Sequence, residues 1–75
     1  MKAFTLEQKI ELLADILDMD IDELSPEMEI SDLEWDSLVS LSYIAMVEEN
    51  FGKEVKGAQI KEFVTLQDAL NLMEG

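Results

Sequence analysis

The sequence predicts an all-α fold: a four-helix bundle with a long first loop and a short third helix, in one domain spanning residues 1–75. Three observations carry that prediction. Apolar residues recur at spacings of three and four in three separate stretches, and no run alternates strictly as a half-buried strand would. Capping residues stand just ahead of those stretches: Thr5, Asp36 and Thr65. Pro26, the sole proline, falls in the acidic stretch between the first two helices. A chain of 75 residues buries only about 60% of the surface it exposes when unfolded, so the core is thin.

The first helix lies near residues 5–18. Thr5 with Gln8 forms a capping-box signature, and Leu6, Ile10, Leu13, Ile16 and Leu17 share one face. The stretch "DMDIDELSPEMEISDLEW" then reads as a long loop held to the core by Ile21, Leu24, Ile30 and Leu33. Loops longer than about 12–15 residues in compact domains tend to be functional or disordered, and the regular apolar anchors favour order here. Asp36 caps a second helix that runs from Ser37 to about Asn50, with Gly52 as its stop and Tyr43, Ile44, Val47 and Phe51 as its inward stripe. Residues 53–56 connect to a short third helix over 57–62. Thr65 and Asp68 open a last helix whose apolar face is Leu66, Ala69, Leu70 and Met73.

Composition narrows the function. Eighteen acids against five lysines give a net charge of −13, with 14 of the acids in residues 1–50. Such a chain does not bind nucleic acid, whose phosphates require cations, nor anionic membrane surfaces; it attracts basic protein partners. Solubility alone also accounts for surplus acids. With neither cysteine nor histidine, the chain has no disulfide, no zinc site of the usual ligands and no thiol of its own. Glu7 and Glu11 interrupt any signal-peptide core, and no apolar run approaches the ~18 residues of a membrane span. A cytoplasmic monomer without membrane insertion is expected.

Asp18, Asp20, Asp22 and Glu29 fall at positions 1, 3, 5 and 12 of a calcium-loop pattern. Glu23 stands where that loop needs glycine, and Pro26 lies inside it. The expectation is no metal site, with only weak, non-specific divalent binding.

Ser37, in "EWDSLVSL", sits between an acid and an apolar run. A serine hydroxyl attacks only when a base takes its proton. There is no histidine to do so, and no lysine lies between Lys9 and Lys53. No glycine-rich phosphate loop is present. The chain is therefore not expected to be an enzyme. Two readings of Ser37 stay open on residues alone: it assists Asp36 in capping the helix, or it is the substrate of another enzyme.

The tripeptide D-S-L at 36–38, the "VEENFGKEV" exit from the second helix, the final "TLQDAL" helix, the length and the acidic charge together resemble an acyl carrier protein over nearly the whole chain. The resemblance implies that Ser37 carries 4′-phosphopantetheine, transferred from coenzyme A by a separate phosphopantetheinyl transferase. The arm's thiol then holds acyl, aminoacyl or polyketide cargo as a thioester, in fatty acid biosynthesis or a more specialised pathway. It further implies partner enzymes with basic docking patches that load and transfer the cargo. Asp36, Glu48 and Glu49 match the family's acidic recognition positions. The helical wheel adds Leu38, Leu41, Ala45 and Met46 as residues facing wholly or partly outward. Ile44, Val47, Val55, Ile60, Phe63 and Ala69 are candidates for a cargo pocket, although they also suit an ordinary core. The chain departs from the fatty-acid members at Trp35, where a small residue is usual, and at Val39, Ser40 and Ser42, where acids are usual. Lys53, Lys56 and Lys61 surround a third helix that is usually acidic. The rival reading is an acidic helical interaction or calcium-binding module without a prosthetic group.

Overall fold

The computed structural model describes residues 4–73. Four helices follow in order: α1 (Leu6–Leu17), α2 (Ser37–Phe51), α3 (Gly57–Ile60) and α4 (Leu66–Leu72). Among the described residues there is no strand, so the all-α expectation holds.

Local signals set the helix ends. The Gln8 N–H donates to Thr5 Oγ1 at 3.1 Å and the Thr5 N–H donates to Gln8 Oε1 at 2.9 Å, which closes the capping box on α1. α1 ends where Asp18 turns left-handed, with φ 57°. Asp36 Oδ1 accepts from the Val39 N–H at 2.9 Å and starts α2, and Gly52, with φ 65°, ends it. In α4 the Asp68 carboxylate accepts from the N–H groups of Val64 (2.8 Å) and Thr65 (3.2 Å). Those two bonds hold its carboxyl below the usual carboxylate range.

α3 stops at Ile60, two residues short of the predicted end. The Glu62 and Phe63 N–H groups bond three residues back, to Gln59 and Ile60, because the chain must turn there to meet the long loop. That meeting is a tie of backbone hydrogen bonds. Ile30 N–H donates to the Val64 carbonyl at 2.8 Å, while the N–H groups of Leu66 and Gln67 donate to the carbonyls of Met28 (2.8 Å) and Pro26 (2.9 Å). The loop thus satisfies two donors at the start of α4 that the helix cannot satisfy itself. Two short 3₁₀ turns, Ile21–Glu23 and Ile30–Asp32, order the loop, and its Leu24 and Leu33 are buried. The loop is ordered, as its apolar anchors predicted.

Leu13, Tyr43, Val47, Leu66, Leu70 and Met73 are fully buried and join α1, α2 and α4 in one core. Val55 and Ile60 close it from the α3 side. At about 25 cal/mol per Å² of apolar surface, each fully buried leucine contributes roughly 1.5–3 kcal/mol.

Candidate functional site

Ser37 is the first residue of α2 and is exposed, as is its capping neighbour Asp36. The Asp36 carboxylate engages the Val39 N–H, and the Asp36 carbonyl accepts the Ser40 N–H at 3.0 Å. The N–H groups of Ser37 and Leu38 belong to the helix's first turn, which has no intrahelical acceptors for them. A phosphodiester on Ser37 Oγ would lie over this turn, where free N–H groups and the helix dipole favour an anion. The residues present fit such a group. The hydroxyl is open to solvent, and the cap is made by Asp36 rather than by Ser37. Asp36 opposes the added negative charge.

Leu38 is 73% exposed and Leu41 65%, and Ala45, Glu48 and Glu49 are exposed with them. At about 100° per residue these five share one outer arc of α2 with Ser37. A helix that is apolar on both sides is normally buried on both; here the outer leucines face solvent and contribute nothing to the core.

Met46 is the exception. It was expected to face outward, yet it is 7% exposed and belongs to the core. The expected inward stripe was Tyr43, Ile44, Val47 and Phe51, an arc centred between Ile44 and Val47. The observed arc centres nearer Tyr43 and Val47, both fully buried, while Ile44 and Phe51 lie at its rim, half-buried. Rotating the arc toward Tyr43 draws in Met46, three residues along.

The proposed cargo-lining residues gather in one cluster. Val47, Val55, Ile60 and Ala69 are buried, and Ile44 and Phe63 are packed against them. Two open grooves, of about 480 and 370 Å³, lie elsewhere, along α1 and on either side of Ile21. In the acidic loop, Glu23 Oε1 accepts from the Asp20 N–H at 3.1 Å, and Asp18 serves as the C-cap of α1. Among the described residues no three such side chains gather as a metal site.

Trp35 and Ser40, both unusual by family pattern, meet. The indole N–H of Trp35 donates to Ser40 Oγ at 2.9 Å, and the ring packs on Tyr43 and Phe63. Trp35 thus lies against α2 and the α3–α4 connection. The signal was present in the spacing, because Trp35 precedes the N-cap and Ser40 is the fourth helical residue.

The geometry defines a small helical domain with a solvent-open serine at a helix mouth. The model of the phosphopantetheine attachment site family matches residues 10–73. The chain is 32% identical over 72 residues to polyketide-8 synthase acyl carrier protein 2 of Streptomyces avermitilis, covering 95% of this chain and 83% of that one. It is 35% identical over 69 residues to an acyl carrier protein of Thermosynechococcus vestitus, covering 91% and 85%. It is also 33% identical over 63 residues, 84% of its length, to bikaverin polyketide synthase of Gibberella fujikuroi, of which it spans 3%. No solved structure matches it significantly. The chain belongs to the acyl carrier protein family: it is a carrier that bears covalent 4′-phosphopantetheine, and not an enzyme.

No helix among the described residues is long and apolar enough to cross a membrane.

Proposed function

We propose that Ser37 is the attachment residue, and that the chain holds an acyl-type cargo as a thioester on the attached arm and presents it to partner enzymes. The observation that carries this is the exposed hydroxyl of Ser37 at the first position of α2, behind a cap supplied by Asp36. The hydroxyl is free to react without unfolding the turn. Attachment forms the bond from Ser37 Oγ to phosphorus as the pyrophosphate bond of coenzyme A breaks and adenosine 3′,5′-bisphosphate leaves; the serine proton goes to a base on the transferase, which explains why this chain needs none. When bound, the arm supplies the thiol that the sequence lacks.

The partner face is the outer arc of α2. Leu38, Leu41 and Ala45 supply apolar contact, and Asp36, Glu48 and Glu49 supply charge at its two ends. This pattern suits enzymes whose docking patches are apolar at the centre and basic at the edges. Met46 is not part of that face. Cargo of apolar acyl or polyketide type is supported by the relatives' names and by the apolar cluster from Ile44 to Ala69, which a chain could enter by displacing Phe63 or Ile44 at its rim. The carrier acts as a cytoplasmic monomer.

Mass spectrometry after incubation with coenzyme A, magnesium and a broad-specificity transferase tests the attachment. The wild type gains one phosphopantetheine and Ser37→Ala gains none. A mutant that is still labelled, or a wild type that several transferases leave unmodified, contradicts the proposal.

A further inference from the structure

The backbone leading into Ser37 is held in an uncommon way. Helices often fix the angle of the incoming chain by packing an apolar residue just before the N-cap against one at the fourth helical position. With Asp36 as N-cap, those positions in α2 are Trp35 and Ser40. Ser40 cannot pack as a hydrophobe. The pair is joined instead by the partly buried hydrogen bond from the Trp35 indole to Ser40 Oγ, at 2.9 Å. The third helical residue is Val39, so no Glu or Gln side chain returns a bond to the Asp36 N–H. The junction therefore depends on two side-chain bonds: Asp36 to Val39, and Trp35 to Ser40.

The far side of the Trp35 ring is anchored as well. Its centroid lies 5.5 Å from that of Tyr43 and 6.0 Å from that of Phe63, and Tyr43 and Phe63 meet edge to face at 5.6 Å. Tyr43 is itself tied to α4 through the Ala69 carbonyl. A continuous packed path thus runs from α4 to the residue two before Ser37. The Ser37 side chain is exposed, so its position is set by its backbone, and its backbone is set by this junction.

We propose that Trp35 and Ser40 form a polar staple that positions Ser37 for attachment of the arm. They are positioning residues: they act through the backbone of Asp36 and Ser37 and touch neither coenzyme A nor the reacting phosphorus. The inference rests on Ser37 being the attachment residue. Its physical ground is that a displacement of about 1 Å in a reacting group can cost on the order of a hundredfold in rate.

The test follows transferase-catalysed modification of the full chain by mass spectrometry, with kcat and KM measured separately for wild type, Ser40→Ala, Trp35→Phe, the double variant, Ser40→Thr and Ser31→Ala. Trp35→Phe keeps an aromatic ring and removes the N–H; Ser40→Ala removes the acceptor. Loss of one partly buried neutral hydrogen bond predicts a fall in kcat/KM of roughly three- to tenfold for each single variant, carried mainly by kcat. The double variant is no slower than the slower single, because both remove the same bond. Ser40→Thr, which keeps the hydroxyl, runs at the wild-type rate. So does Ser31→Ala, an exposed serine of the long loop. Amide exchange at Ser37 and Leu38 speeds up in Ser40→Ala while circular dichroism shows an intact fold. Singles that match wild type in kcat and KM overturn the staple alone, as do single effects that multiply in the double variant. A wild type that no transferase modifies overturns the attachment reading, and the staple with it.

Discussion

Replacing Tyr43 with phenylalanine isolates one tertiary hydrogen bond. Tyr43 is fully buried, and its hydroxyl donates to the Ala69 carbonyl at 2.6 Å. That carbonyl lies in the last turn of α4, where the regular ladder would pair it with the Met73 N–H. Met73 donates instead to Leu70, at 3.0 Å, so Tyr43 serves as a side-chain cap on the end of α4. Phenylalanine fills the same volume and leaves the carbonyl buried without its donor, at a cost of about 1–3 kcal/mol. A loss of about 2 kcal/mol in a domain of this size lowers Tm by roughly 8–16 °C. A second readout is alkaline pH. Burial pushes the Tyr43 hydroxyl well above its ordinary pKa of 10.0. As pH rises past the ordinary value, the unfolded chain releases this proton while the folded chain retains it. Tyr43 therefore contributes stability that is complete below about pH 10 and is lost progressively above it. Thermal melts by circular dichroism between pH 7 and 11.5 compare the two proteins. The mutant should melt lower at neutral pH and fall less steeply in alkali. An unchanged Tm at pH 7, or parallel alkaline profiles, refutes the argument.

Other outcomes follow from the same structure. Leu38→Glu and Leu41→Glu should leave Tm nearly unchanged, because both side chains are mostly exposed, while slowing transfer by at least one partner enzyme; unchanged rates with every partner contradict the proposed face. Asp68 accepts two backbone N–H bonds that hold its pKa low, so its stabilising contribution is present above the ordinary carboxyl value and is lost as pH falls through the lowered one. Carboxyl titration by NMR should show the low midpoint, and Asp68→Asn should flatten the acid limb of the stability profile. Asp18→Gly relieves a left-handed backbone and removes an anion from the C-terminus of α1; denaturant unfolding should show a gain of about 0.5–1 kcal/mol.

What was legible in the sequence was mostly local. Thr5, Asp36 and Asp68 act within three or four residues of themselves, so their capping roles could be assigned from spacing alone. Gly52 ended α2 for the same kind of reason, since its left-handed φ is a property of one residue. The exposed outer leucines and the ordered loop were also correctly anticipated. Met46 was not. Periodicity shows that a helix has an apolar side, but α2 is apolar over most of its circumference, and the centre of the buried arc depends on where α1 and α4 sit.

Sequence by itself determined the helical class, the helix starts, the lack of a histidine or cysteine beside Ser37, and the acidic charge. These are properties of composition and of contacts a few residues apart. Only the tertiary structure decided which side of α2 is buried, that Tyr43 caps α4 from 26 residues away, that loop carbonyls cap the other end of α4, and that Trp35 lies on α2. Each of those depends on groups distant in the chain meeting at hydrogen-bond or van der Waals range, and chain spacing carries no information about that geometry until the core has packed.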